Sequence, residues 1–151
     1  MKKLLSFFVM AVVVAAVGFG CCACRKNAKQ AKPLVGTEWH LVKLMETDAT
    51  FAEGKFDIRF IEGETPSEGT IQGVGGCNHI IGGKFTVGDK GSLAVGQLGA
   101  TRMACPELEL EIKFFEALRS TTHYEIDGDV LMLLSNGKLQ ATLQATEQAA
   151  E

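Results

Sequence analysis

The sequence predicts a mainly β fold with one helix: a small antiparallel β-barrel-like or strongly curved sheet, closed by a helix in the C-terminal half. Three observations lead there. From Leu34 onward apolar and polar residues alternate with period two, as strands with one buried face require. Short clusters of Gly, Asn and Asp punctuate these runs with residues that tolerate positive φ. One segment, residues 106–120, departs to helical spacing.

The chain opens with Lys2 and Lys3, an apolar run from Leu4 to Val17, and then Gly20-Cys21. That order is expected of a lipoprotein signal peptide over residues 1–20, ending at a cysteine to be acylated. The apolar stretch falls short of the ~20 residues that a spanning helix needs. Gly20 is small and cleavable, so removal of the segment is expected. Cys21 is the expected lipidation residue and would carry the lipid, palmitate included, with Cys24 the next candidate and Cys22 a competing acceptor. An ordinary secretory signal is the competing reading. Cleavage after Gly20 leaves 131 of the 151 residues, enough for one domain.

Residues 21–33 read as a lipidated tether, because Arg25, Lys26, Lys29 and Lys32 lie in a stretch with almost no apolar anchor, closed by Pro33. Loss of Lys2 and Lys3 reduces the 15 basic residues to 13 against 18 acidic ones, a formal charge of −5. No basic surplus remains for phosphate backbones, which excludes nucleic acid as an expected partner.

The domain is expected over residues 34–146. In Phe56-Asp57-Ile58-Arg59-Phe60 the apolar side chains share one face and the charges the other. Similar runs begin near Trp39, Thr70, Lys84, Leu93, His123, Val130 and Leu139, giving seven or eight strands. Gly82-Gly83, Asp89 to Gly91, Asp127-Gly128-Asp129 and Asn136-Gly137 supply the turns. The last two bracket Val130 to Leu134 as the middle strand of an antiparallel meander. Residues 147–151 read as a disordered tail.

Between these strands, Pro106 to Ser120 carries Leu108, Ile112, Phe115 and Leu118 at helical spacing, widened by Leu110 and Phe114. Pro106 suits the first helical position; Glu107 and Glu109 favour the positive end of the dipole, and Arg119 the negative end. So wide an apolar arc is expected to pack on the sheet.

Two short motifs stand out: Gly75-Gly76-Cys77-Asn78 and Thr101-Arg102-Met103-Ala104-Cys105-Pro106. With the opening Gly36-Thr37-Glu38-Trp39-His40-Leu41, they make the chain resemble the META domain family of HslJ-like bacterial proteins over roughly Leu34 to Leu143. The resemblance implies a β-rich, barrel-like fold, frequent residence in exported lipoproteins and links to stress response. It supplies no catalytic residues to carry over. His79-Ile80 departs from the family, which often has an aromatic or an arginine after Cys-Asn.

Outside the cytoplasm thiols tend to pair, and Cys77 and Cys105 are the two cysteines beyond the tether, so a disulfide is the default. It would contribute roughly 3 to 4 kcal/mol in the chain-entropy model. Two alternatives stay open: inert buried thiols, and redox or nucleophilic chemistry at Cys105, which precedes a helix N-terminus, with Cys77 beside His79. A mixed metal site of Cys77, His79, Cys105, His40 and His123 has the wrong spacing for zinc patterns, so no metal is expected. Gly73-x-Gly75-Gly76 reads as a bent strand or a close backbone approach, not a phosphate loop. Glu107, Glu109 and Glu111 read as an acidic helix start. Asn78, Thr101 and Arg102 form the candidate contact surface, able either to hold a peptide or glycan or to satisfy loop backbone groups.

The expected function is a membrane-anchored envelope lipoprotein whose β domain binds or protects, with no catalytic activity and no cofactor. The alternative is an envelope thiol-redox protein or enzyme using Cys105 and Cys77. Expected partners are the membrane, through the N-terminal lipid, and an envelope protein or a small apolar ligand, with the chain a monomer. An interior packed with Phe56, Phe60, Phe85 and Phe115 favours the protein; an empty one favours the ligand. The expected location is the bacterial cell envelope, at an outer membrane and facing the periplasm.

Overall fold

The structure, a computed structural model, describes residues 30–47 and 49–146. The signal segment, Cys21, Cys22 and Cys24, most of the tether and residues 147–151 lie outside the described residues. The strands are β1 (Glu38–Leu44), β2 (Phe56–Glu62), β3 (Glu68–Gly75), β4 (His79–Gly82), β5 (Lys84–Val87), β6 (Leu93–Val95), β7 (Gly99–Ala100), β8 (His123–Asp127), β9 (Val130–Ser135) and β10 (Lys138–Ala145). The helix α1 (Leu108–Ser120) lies between β7 and β8.

Eight strands form one antiparallel path, β6-β5-β3-β2-β1-β10-β9-β8, and β4 and β7 branch from β3. The path nearly closes on itself. Ser92 bridges His123, and the Leu93 N–H donates to the Thr122 carbonyl at 3.2 Å, joining the two ends into a barrel-like sheet. Register shifts between Leu41 and Lys43 in β1 and between Leu139 and Ala141 in β10 add the local bends that curvature requires. The β8–β9–β10 meander forms as the turn residues predict: Asn136 and Gly137 both take positive φ, the geometry of a tight hairpin turn. The short β4 and β7 bring the strand count above the seven or eight expected. β4 runs straight into the Gly82-Gly83 turn, and β7 is two residues long.

Alternation sorts the strands into two faces. Phe56, Ile58 and Phe60 are at most 1% exposed while Asp57 and Arg59 face outward, and Trp39 and Leu41 face the same interior. Phe60 meets Phe85 edge-on at 5.1 Å, and Phe56 meets Phe114 of the helix at 6.1 Å. Each such buried side chain contributes roughly 1.5 to 3 kcal/mol through area removed from water. The Trp39 indole N–H is satisfied by the Leu34 carbonyl at 3.1 Å, so burial of the ring leaves no orphan donor.

The helix packs on β6, β9, β10, β1 and β3. Of the apolar arc its spacing predicts, Leu110, Phe114, Phe115 and Leu118 meet the core, but the arc is rotated partly outward. Glu111, Phe114, Ala117 and Leu118 are buried, whereas Leu108 is 36% and Ile112 56% exposed. The rotation brings the Glu111 carboxylate inward to accept from the Cys77 and Asn78 N–H groups of the turn after β3. The helix also begins at Leu108, two residues beyond Pro106, after a tight turn closed by Leu108 N–H to the Cys105 carbonyl.

Candidate functional site

The motifs of Gly75 to Asn78 and Thr101 to Cys105 come together where β3 ends against the start of α1. Gly75 sits directly under the helix: a Cβ there would lie 2.2 Å from the Phe115 ring. Gly76, with φ +126, turns the chain against the Phe56 ring, a conformation that a side chain would strain. This close approach lets Glu111 reach the backbone. Its Oε2 accepts from the Cys77 N–H at 2.9 Å and the Asn78 N–H at 2.7 Å.

Asn78 completes the arrangement. Its Nδ2 donates to Glu111 Oε1 at 2.6 Å and to the Met103 carbonyl at 3.2 Å; its Oδ1 accepts from the Thr101 hydroxyl at 2.9 Å and the Met103 N–H at 2.6 Å. All the ordinary hydrogen-bonding capacity of the amide is used. Asn78 is 2% exposed, which corrects its expected place in a contact surface. The physical reason is that two loops and a helix each need polar partners at one buried point, and a single amide serves all three. Thr101 and Arg102 are exposed, and Thr101 also accepts from the His79 N–H at 3.1 Å. Ile81 (71% exposed) and Met103 (58%) lie on the strands and loop that meet at Asn78, and Ile112 follows Glu111 on the helix.

Cys77 and Cys105 are joined in a disulfide with Cα atoms 5.7 Å apart. Cys77 is 8% exposed and Cys105 half-buried. Cys105 Sγ lies 2.9 Å from Glu107 Oε2. A disulfide sulfur carries no proton, so this is a close contact, not a hydrogen bond. Glu107 Oε1 accepts from Lys55 Nζ at 2.5 Å, and chiefly that bond holds the Glu107 carboxyl below the ordinary carboxylate range. On reduction, the carboxylate beside Cys105 would repel a thiolate and oppose the helix dipole, which favours one.

The histidines do not join the cysteines. His40 Nδ1 pairs with Asp57 Oδ1 at 2.6 Å across the β1–β2 ladder, where the two residues are direct partners. His123 lies 3.9 Å from Glu125. Among the described residues the group with metal-ligand proximity is Cys77, Cys105 and Glu107.

Glu111 is the residue that reasoning from sequence missed, having been placed with Glu107 and Glu109 in an acidic first turn. Its position three residues before Phe114 and seven before Leu118 puts it on their face of the helix, and that was the available signal. Asp57 left no signal of this kind, because its partner comes from another strand.

The described tether residues enter at the other end of the strands. The Lys32 N–H donates to the Gly128 carbonyl in the β8–β9 turn, and Val35 bridges Phe60. Phe60 lies four residues along β2 from Phe56, the partner of Gly75, a separation of about 13 Å at strand rise. Among the described residues no helix is long and apolar enough to cross a membrane.

A sequence model of the META domain family matches residues 32–149. Among solved structures, the NMR structure of the protein from Burkholderia xenovorans resembles this chain with a TM-score of 0.57 at 23% identity, covering 76% of this chain and 85% of that one. At that identity the likeness concerns the fold alone. A search of curated proteins finds no match.

Proposed function

Because this chain belongs to the META domain family, we propose that it works by contact at the bacterial cell envelope: a lipid-anchored binding or stress-protection module with no catalytic activity. The observation that carries this reading is the packed interior. Trp39, Phe56, Phe60, Phe85 and Phe114 are each less than 2% exposed and fill the space inside the sheet, with Phe115 half-buried against them. Recognition then falls to the outside, which favours a protein partner over a small apolar ligand carried within.

The contact surface proposed is the end of the barrel around Thr101, Arg102 and Met103, with Ile81, Leu108 and Ile112 as exposed apolar residues. The tether enters at the opposite end of the strands, so an anchor at Cys21 would present this surface away from the membrane. Photo-crosslinking residues placed at Met103 and Ile112 in intact envelopes test the reading, with Val42 on the sheet as the control position. A discrete protein adduct from the first two and none from Val42 is expected. Equal labelling from all three, or none from any, would overturn it.

The alternative, a thiol-redox protein or enzyme using Cys105 and Cys77, has less support. The two sulfurs are bonded, Cys77 is buried, and Glu107 disfavours the thiolate that such chemistry needs.

A further inference from the structure

We propose that reduction of the Cys77–Cys105 disulfide converts this corner into a site for a thiophilic divalent cation, held by the two sulfurs and the Glu107 carboxylate. The ligand atoms of Cys77, Cys105 and Glu107 already lie within 4.8 Å of one another. A tetrahedral zinc-like ion with metal–sulfur bonds of about 2.3 Å asks for sulfurs ~3.8 Å apart and a carboxylate oxygen slightly closer. Opening the S–S bond by side-chain rotation suffices.

The backbone does not depend on the disulfide to hold the ligands in place. Cys77 is fixed through its own N–H and that of Asn78, both bonded to Glu111. The loop carrying Cys105 is held through Met103, whose N–H and carbonyl both bond the Asn78 side chain. Glu107 is oriented by Lys55, which takes Oε1 and leaves Oε2 facing Cys105. Charge also favours a cation. Two thiolates, the Glu107 carboxylate and the Lys55 ammonium together with a divalent ion sum to zero, so the carboxylate that disfavours a free thiolate stabilises the metal-bound one. Cys105 and Glu107 are half-buried, which leaves solvent access for a water as fourth ligand.

The chemistry balances with a dithiol as reductant. Its two thiols reduce the protein disulfide to two thiols and close to a cyclic disulfide; the divalent ion then displaces both protein thiol protons to solvent. This proposal stands apart from the contact reading and survives its failure.

Cadmium titration of the full-length chain tests it, with Cys21, Cys22 and Cys24 replaced by Ser so that Cys77 and Cys105 are the remaining thiols. The dithiol is removed without air before titration. One Cd2+ per chain with a thiolate-to-cadmium ultraviolet band is expected after reduction, and no band before it. Glu107→Gln is expected to weaken binding roughly 10-fold or more. Equal affinity for Glu107→Gln and its parent overturns the proposal, since two thiols on an unfolded or loosely held chain would bind without the carboxylate. A band of equal strength in Cys105→Ser also overturns it.

Discussion

Glu111 and Asn78, 33 residues apart in sequence, share a 2.6 Å hydrogen bond in the interior, with Glu111 Oε1 accepting from Asn78 Nδ2. Glu111 is 3% exposed, and the helix turns its predicted apolar face partly outward to place it there. A buried carboxylate is tolerated because three N–H donors surround it.

Replacing Glu111 by Gln therefore destabilises the domain although shape is kept. One oxygen still accepts from the backbone, but the new NH2 faces the Asn78 NH2, and Asn78 cannot flip without losing Thr101 and Met103. The expected cost is about 1 to 3 kcal/mol per unsatisfied group, read as a lower midpoint in urea with unchanged slope. A midpoint equal to that of the parent would refute this account.

Cys77→Ser with Cys105→Ser is expected to cost about 3.5 kcal/mol for a 28-residue sequence separation in the chain-entropy model. Quantitative thiol titration of the unreduced, denatured parent should find neither Cys77 nor Cys105 free. A stoichiometric reactive thiol at Cys105 would instead favour the redox alternative.

Lys55→Ala is expected to raise the Glu107 pKa toward its ordinary value of 4.5, since the Lys55 hydrogen bond is the largest cause of its lowering. The folded-state value is depressed, so the ion pair stabilises above pH ~4.5 and that contribution is lost as pH falls through the folded value. The stability difference between parent and variant should thus be constant near neutrality and vanish in acid. Carboxyl NMR titration of both proteins checks the direction, and an unmoved Glu107 resonance midpoint would count against the pairing.

Gly73→Ala is expected to cost at least ~3 kcal/mol, combining overpacking with backbone strain. Its φ is +146, and a Cβ would lie 2.0 Å from the Asp57 carbonyl oxygen, a backbone atom that cannot swing away. Gly54→Ala serves as the control, because its φ of +77 is strained while nothing lies within 4 Å of the added carbon. Circular-dichroism melting of both variants separates clash from strain, and equal melting temperatures would remove the clash.

Cys21→Ser is expected to abolish labelled palmitate incorporation and to release the chain from membrane fractions. Retained label with loss only in Cys24→Ser would move the acylation site.

Much of the fold was legible because its signals are local. Period two in Phe56 to Phe60 places alternate side chains on opposite faces whatever the partner strand, and Asn136-Gly137 selects a tight hairpin by φ preference alone. The Cys77–Cys105 pairing followed from elimination within the expected domain, and the resemblance to the META domain from three motifs in order. β4 escaped because it runs straight into the Gly82-Gly83 turn signal, and β7 because it is two residues long.

Strands, turns and one helix were thus readable from backbone preference and side-chain alternation, and the family from its three motifs. Contacts between distant segments bury Asn78, turn Glu111 inward and Ile112 outward, and pair His40 with Asp57. Those choices depend on which helix face meets which turn and which residues stand opposite in the β1–β2 register. They are settled by the balance of packing and hydrogen-bond satisfaction between segments distant in the chain, a balance no local pattern records.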